Sequence, residues 1–119
     1  MAYRIDYALR EGCLEVVVSG RSSLEHASSI TRDIAEQASR QAARQLLIDV
    51  RNLLGRVGAL GSLLDPQGPM NGCKVAVLDV SDNDPYYVFS ENVARARGRA
   101  LRYFYDSSAA IRWLSAGPD

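Results

Sequence analysis

Apolar and polar positions alternate along the start of the chain: Tyr3, Ile5, Tyr7 and Leu9 stand between Arg4, Asp6, Ala8 and Arg10. A period of two is that of a strand with one face buried. Glu11 and Gly12 interrupt it before a second apolar run, Cys13 to Val18, so the first 18 residues predict a β-hairpin. The period then lengthens. Leu24, Ala27, Ile30, Thr31, Ile34 and Ala38 fall on one stripe behind a capping box of Ser22 and Glu25, which predicts a helix from about Ser23 to Ala43. Leu46 to Val50 and Cys73 to Leu78 are short, nearly continuous apolar runs, the pattern of central parallel strands covered on both faces.

Between these two strands, Asn52 to Gly72 carries Gly55, Gly58, Gly61, Gly68 and Gly72 with Pro66 and Pro69. The expectation there is a short helix flanked by turns. Asp84 as N-cap and Pro85 at the first helical position open a further helix, with Tyr86, Phe89, Val93 and Ala96 on its apolar face and Gly98 closing it. Leu101, Tyr103 and Tyr105 alternate as in a last strand. Asp106 or Ser107 then caps a terminal helix bearing Ala110, Trp113 and Leu114. The predicted order is ββαβαβαβα: one α/β domain spanning 1–119, with a mixed sheet of about five strands packed with helices.

Composition narrows the function without assigning one. The 119 residues carry 14 basic and 14 acidic side chains, for a formal net charge of zero, so no overall field draws the chain to nucleic acid or to an anionic membrane. No apolar run approaches the roughly 20 residues of a membrane span, and the N-terminus lacks the basic and apolar regions of a signal peptide. A cytoplasmic, non-membrane protein is the expectation. Cys13 and Cys73 form no CxxC pair and read as reduced, buried thiols.

The strand Leu46 to Arg51 with its glycine-rich sequel, together with the element order, resembles the STAS superfamily of sulfate-transporter and anti-sigma-factor-antagonist domains. The later part of the chain is similar to the SpoIIAA-like branch. It has Lys74 to Asp79, Phe89 and Ala94, Leu101 to Phe104, Asp106 to Ala110, and a closing Ala110-Ile-Arg-Trp-Leu114 helix. The resemblance implies a regulatory, protein-binding domain. In antagonist members a serine capping the helix after the third strand is phosphorylated, and at that place this sequence carries Val57 or Gly58, within Gly55 to Ser62. The phosphorylatable serine is therefore expected to be missing, with Ser62 one turn further on. A fold-level likeness to lipid-binding domains of the CRAL-TRIO type implies an alternative, a groove for an apolar small molecule.

Chemistry-bearing residues are few. The spacing Gly55-x-x-Gly58-x-x-Gly61 lacks the Gly-Lys-Ser/Thr ending of a phosphate loop. His26 is the single histidine and reads as a solvated residue of the first helical turn. No cluster has metal-ligand spacing, and neither metal nor cofactor is expected. Serines 19, 22, 23, 28 and 29 near His26 lack a nucleophile elbow. Arg95, Arg97, Arg99 and Arg102 form the densest basic stretch and read as a solvated face.

Asp49 and Asp79 occupy corresponding late positions in two central strands, at the edge where α/β sheets place their ligands. Each carboxylate is expected to be satisfied locally, Asp49 by Arg51 and Asp79 in the Ser81-Asp82 turn. Tyr87, beside the acidic turn at Asp82, is the better of two adjacent tyrosines for recognition. The resulting candidate surface comprises Asp49, Arg51, Arg56, Ser62, Asp79, Asp82 and Tyr87. Three functions compete for it. The first is a non-enzymatic module binding a protein partner or a second copy of itself as a homodimer. The second is a carrier of an apolar small molecule with residues 55–72 as a lid. The third is an enzyme built on Asp49, Asp79, Arg51 or His26.

Overall fold

In a computed structural model of the chain, the structure describes residues 3–10, 12–21, 24–54, 73–80, 91–92, 95–96, 98 and 100–116, with backbone alone for 24–28. The hairpin forms as the alternation requires. β1 (Tyr3–Arg10) pairs antiparallel with β2 (Cys13–Arg21) in unbroken register from Tyr3 opposite Gly20 to Arg10 opposite Cys13. Gly12 takes a φ of 83° in the connecting turn, a region that glycine enters without steric cost.

α1 (Leu24–Arg40) follows and crosses over to β3 (Gln45–Asp49), which lies parallel to β2. The helix ends three residues earlier than the apolar stripe suggested. The Ala43 N–H donates to the Ala38 carbonyl and the Ala42 N–H to that of Ser39, at 2.9 and 3.1 Å. Ala42 stands in the left-handed region at φ 53°. These two bonds form a Schellman motif closed by alanine at the position glycine usually holds.

β5 (Lys74–Leu78) lies parallel to β3, and β6 (Leu101–Phe104) parallel to β5. The sheet among the described residues has six strands, in the order β1-β2-β3-β5-β6, with β4 (Leu53–Leu54) beside β2. β4 corrects the expectation for the start of the 52–72 segment, which continues the sheet before any helix can begin; residues 55–72 lie outside the described set. Between β5 and β6, Glu91, Asn92, Arg95 and Ala96 are helical. Gly98 follows at φ 73° and its N–H donates to the Arg95 carbonyl, the predicted glycine closure. The predicted start at Asp84 and Pro85 lies outside the described residues. The last helix, α2 (Ser107–Ser115), has Asp106 as its N-cap, whose Oδ2 accepts from the Ala109 N–H at 3.2 Å.

Strand alternation divides the core into two layers. Leu14, Val16 and Val18, Leu46 and Ile48, Val75 and Val77, and Leu101 and Tyr103 face α1, packing with Ile30, Ile34, Ala35 and Ala38. Leu47, Ala76 and Leu78 face the other way and meet Ala110, Trp113 and Leu114 of α2, with Phe104 packed alongside. The Phe104 and Trp113 ring centroids are 5.7 Å apart, within the range of favourable tilted aromatic contacts. Both faces of the β3-β5 centre are therefore dry, as their continuous apolar runs demand.

Candidate functional site

Strands β2 to β6 run in one direction, so their C-terminal ends share one edge. Their registers place Val17, Asp49, Leu78 and Phe104 side by side in a single cross-strand row. Asp49 thus projects on the α2 side, where Leu78 and Phe104 also pack.

A one-residue irregularity shapes the backbone here. Val17 pairs with Asp49 but Gly20 with Leu53, so the segment after β3 carries one residue more than the β2 segment it faces. The extra residue is taken up in a turn closed by the Leu53 N–H donating to the Val50 carbonyl at 3.1 Å, in the manner of a bulge. Arg51 is folded back within that turn. Its backbone N–H and Nε each donate to Asp49 Oδ1 at 3.0 Å, and its Nη2 donates to Oδ2 at 2.8 Å. Burial pushes the Asp49 carboxyl up, but the hydrogen bonds and charge of Arg51 outweigh it and hold the group below its ordinary value of 3.8. The Arg51 guanidinium is correspondingly raised, by its hydrogen bonds to Asp49 and then by that carboxylate's charge.

Asp79 is only 1% exposed. Its N–H continues the ladder to the Phe104 carbonyl at 2.9 Å, and its Oδ1 accepts from the Val80 N–H at 2.7 Å. It follows Leu78 by one residue, so strand alternation sets it on the opposite face from Asp49, toward Val50 and the α1 layer. The two carboxylates share an edge but not a face. The expected Arg51 partner for Asp49 is present. For Asp79 the described local bond is to the Val80 backbone. Arg56, Ser62, Asp82 and Tyr87 lie outside the described residues, as does the side chain of His26.

Sequence reasoning did not single out the apolar residues at this edge. Leu54 closes β4, Val80 follows β5 and Tyr105 follows β6, and they are 56%, 37% and 46% exposed. Among the described residues no group of His, Cys, Asp and Glu is arranged to hold a metal. No described helix is long and apolar enough to cross a membrane. At the other end of the sheet a groove of about 540 Å³ lies between the β2-β3 face and α2, lined by Cys13, Glu15, Gln45, Leu47, Ile111 and Leu114 among others. The Cys13 thiol there is pushed up by burial and by the neighbouring Glu15, which leaves it protonated and unreactive near neutrality.

In sequence, no family profile and no curated protein matches the chain. In structure, it is similar to an anti-sigma factor antagonist from Mycobacterium paratuberculosis, with a TM-score of 0.64 at 16% identity over 94% of this chain and 93% of that one. It is also similar to an uncharacterised protein with a SpoIIAA-like fold from Shewanella loihica, with a TM-score of 0.56 at 17% identity over 95% and 94% of the two chains. Together with the mixed six-stranded sheet flanked by helices on both faces, these likenesses show that the chain has the SpoIIAA-like fold.

Proposed function

We propose that this chain is a non-enzymatic regulatory domain that binds a protein partner through the C-terminal edge of its sheet, in the cytoplasm and without nucleic acid or membrane contact. The observation that carries the reading is that Leu54, Val80 and Tyr105, at the C-terminal ends of β4, β5 and β6, are exposed, at the same sheet edge as an Asp49 carboxylate already committed to Arg51. Exposed apolar side chains rimmed by polar groups favour association. A carboxylate held ionised by a bidentate guanidinium is a poor proton acceptor and a good rigid polar contact. The structural likeness to an anti-sigma factor antagonist supports a regulatory role. Because Val57 or Gly58 stands where antagonist members carry serine, binding is proposed to be independent of phosphorylation at that place. Arg56, Ser62, Asp79, Asp82 and Tyr87 are proposed to complete the surface.

The test is quantitative capture from the source cell's lysate with the wild-type chain and with a Leu54→Asp, Tyr105→Asp double variant of unchanged circular dichroism. A protein retained by the first and lost by the second supports the reading. Identical capture sets remove the edge from consideration. Native mass spectra of the purified chain address the alternative, since an extra apolar mass lost on denaturation would favour the carrier.

A further inference from the structure

The two outer strands of the sheet are finished differently. On β6, four residues long, the outward Tyr103 N–H is taken by the Glu91 carboxylate at 2.7 Å, so that edge is partly closed. β1 is eight residues long, and its register with β2 is continuous, with no bulge and no proline. The direction of its backbone groups follows from the hairpin. Arg10 and Cys13 flank a two-residue turn and form a hydrogen-bonded pair, so Arg4, Asp6, Ala8 and Arg10 turn their backbone toward β2. Tyr3, Ile5, Tyr7 and Leu9 turn theirs outward. The phase is confirmed across β2, where Gly20, opposite Tyr3, sends its N–H away from β1 to the Asn52 carbonyl. Among the described residues, the backbone groups of Ile5, Tyr7 and Leu9 have no partner beyond β1-β2. Long regular edges of this kind are ones that proteins ordinarily blunt.

A groove of about 270 Å³ runs beside this edge, between Tyr3, Ile5 and Tyr7 and the α1 residues Asp33, Glu36 and Arg40. Among the described residues, the Tyr7 hydroxyl lies buried there without a hydrogen-bond partner. On the other face of β1, Arg4 and Asp6 are highly exposed and pair with each other, Arg4 Nη2 to Asp6 Oδ1 at 3.1 Å.

We propose that the outer edge of β1 receives β1 of a second copy, antiparallel about a two-fold axis at Ile5, joining two sheets into one. The strand is complementary to itself in that register. Arg4 stands opposite Asp6 of the second copy and Asp6 opposite its Arg4, so two ion pairs along the strands become a square of alternating charge. On the α1 side, Tyr3 meets Tyr7 of the second copy above the two grooves. Across that axis the outward backbone groups of Ile5 face those of Ile5 in the second copy, as a hydrogen-bonded antiparallel pair requires. Neighbouring registers are worse. An axis at Asp6 sets Asp6 against itself, and one at Tyr7 sets Arg4 against Arg10. An axis at Ala8 opposes Asp6 to Arg10 but carries Ile5 past the end of the second copy's strand. The dimer stands independently of the partner surface proposed at the C-terminal edge.

The test is sedimentation equilibrium of the wild-type chain from about 1 to 300 µM, beside Asp6→Arg and the swapped double variant Arg4→Asp, Asp6→Arg. Both side chains are half or more exposed, so folding, checked by circular dichroism, is retained. A wild-type dimer, weakened at least tenfold by Asp6→Arg, which sets like charges opposite each other, and restored by the swap is the expected result. A wild-type chain that stays monomeric throughout overturns the proposal and leaves the edge for a foreign strand. A dimer indifferent to Asp6→Arg, or one the swap fails to restore, overturns it by placing the contact elsewhere.

Discussion

Lys74 Nζ donates to the Trp113 carbonyl oxygen at 2.6 Å while standing 4.5 Å from the centroid of the same residue's indole ring. The chain's one lysine, at the first position of β5, thereby closes the C-terminus of α2. A cation at that end meets the negative pole of the helix, and it shares the Trp113 carbonyl with the Ala116 N–H, which donates to it at 3.2 Å. Gln45, beside it on β3, does the same with a neutral donor, its Nε2 reaching the Leu114 carbonyl at 2.7 Å. α2 is thus held to the sheet by apolar packing and by two side chains rising from the strands beneath it.

Lys74→Met keeps much of the stem and removes donor and charge. It is expected to lower the unfolding free energy by about 1–2 kcal/mol, the range of a charge-assisted hydrogen bond with a cation-π contact. Urea unfolding followed by the fluorescence of Trp113, the single tryptophan, measures this directly. An unchanged midpoint would show that the contact contributes nothing to stability.

Arg51→Met leaves Asp49 half-buried without its guanidinium, and a loss of about 1–3 kcal/mol at neutral pH is expected. The pH dependence has a definite sign. Because Asp49 in the folded chain lies below its ordinary value, its contribution is fully present above the unfolded-state pKa and is lost as pH falls through the folded value. The stability gap between wild type and Asp49→Asn should therefore narrow on acidification from about pH 6 to pH 2, as measured by chemical denaturation.

Ala42 holds the left-handed position of the Schellman motif at φ 53°, a conformation that costs an alanine roughly 1 kcal/mol relative to glycine. Ala42→Gly should be neutral or stabilising by up to about 1 kcal/mol, raising the melting temperature by a few degrees. The same substitution at exposed Ser39, within α1, should lower it.

The buried Tyr7 hydroxyl is pushed up to about 12 by burial, then by the charges of Asp33 and Glu36 and by Tyr3. The folded state therefore holds this proton more tightly than the unfolded chain, whose value is 10.0. Stability is expected to be lost as pH rises through the interval between the two. Tyr7→Phe removes an unsatisfied polar atom and should be neutral or stabilising by about 1 kcal/mol, with a weaker decline above pH 10 in thermal melts.

Much of the fold was legible because its signals are local. The alternation of Tyr3, Ile5 and Tyr7, the stripe of Ile30, Ile34 and Ala38, and the runs ending at Asp49 and Leu78 each state a period that one buried face imposes. The glycine closure at Gly98 and the cap at Asp106 are equally local. β4 was not legible. Two leucines have no period, and their place beside β2 depends on the extra residue in the turn before them. Leu54, Val80 and Tyr105 were missed for a related reason, since an exposed apolar side chain reads in sequence like a core one.

Asp49 and Asp79 mark the boundary between the two kinds of information. The sequence by itself determined that each carboxylate ends a central strand and that Arg51 is within reach of Asp49, because strand length and a separation of two residues are properties of the chain. The tertiary structure alone decided that they do not form a pair. Asp49 is registered with Leu78 and not with Asp79, and a shift of one residue between strands carries a side chain to the other face of the sheet. Register is set by which apolar faces bury α1 and α2 together, and no short stretch of sequence holds that information.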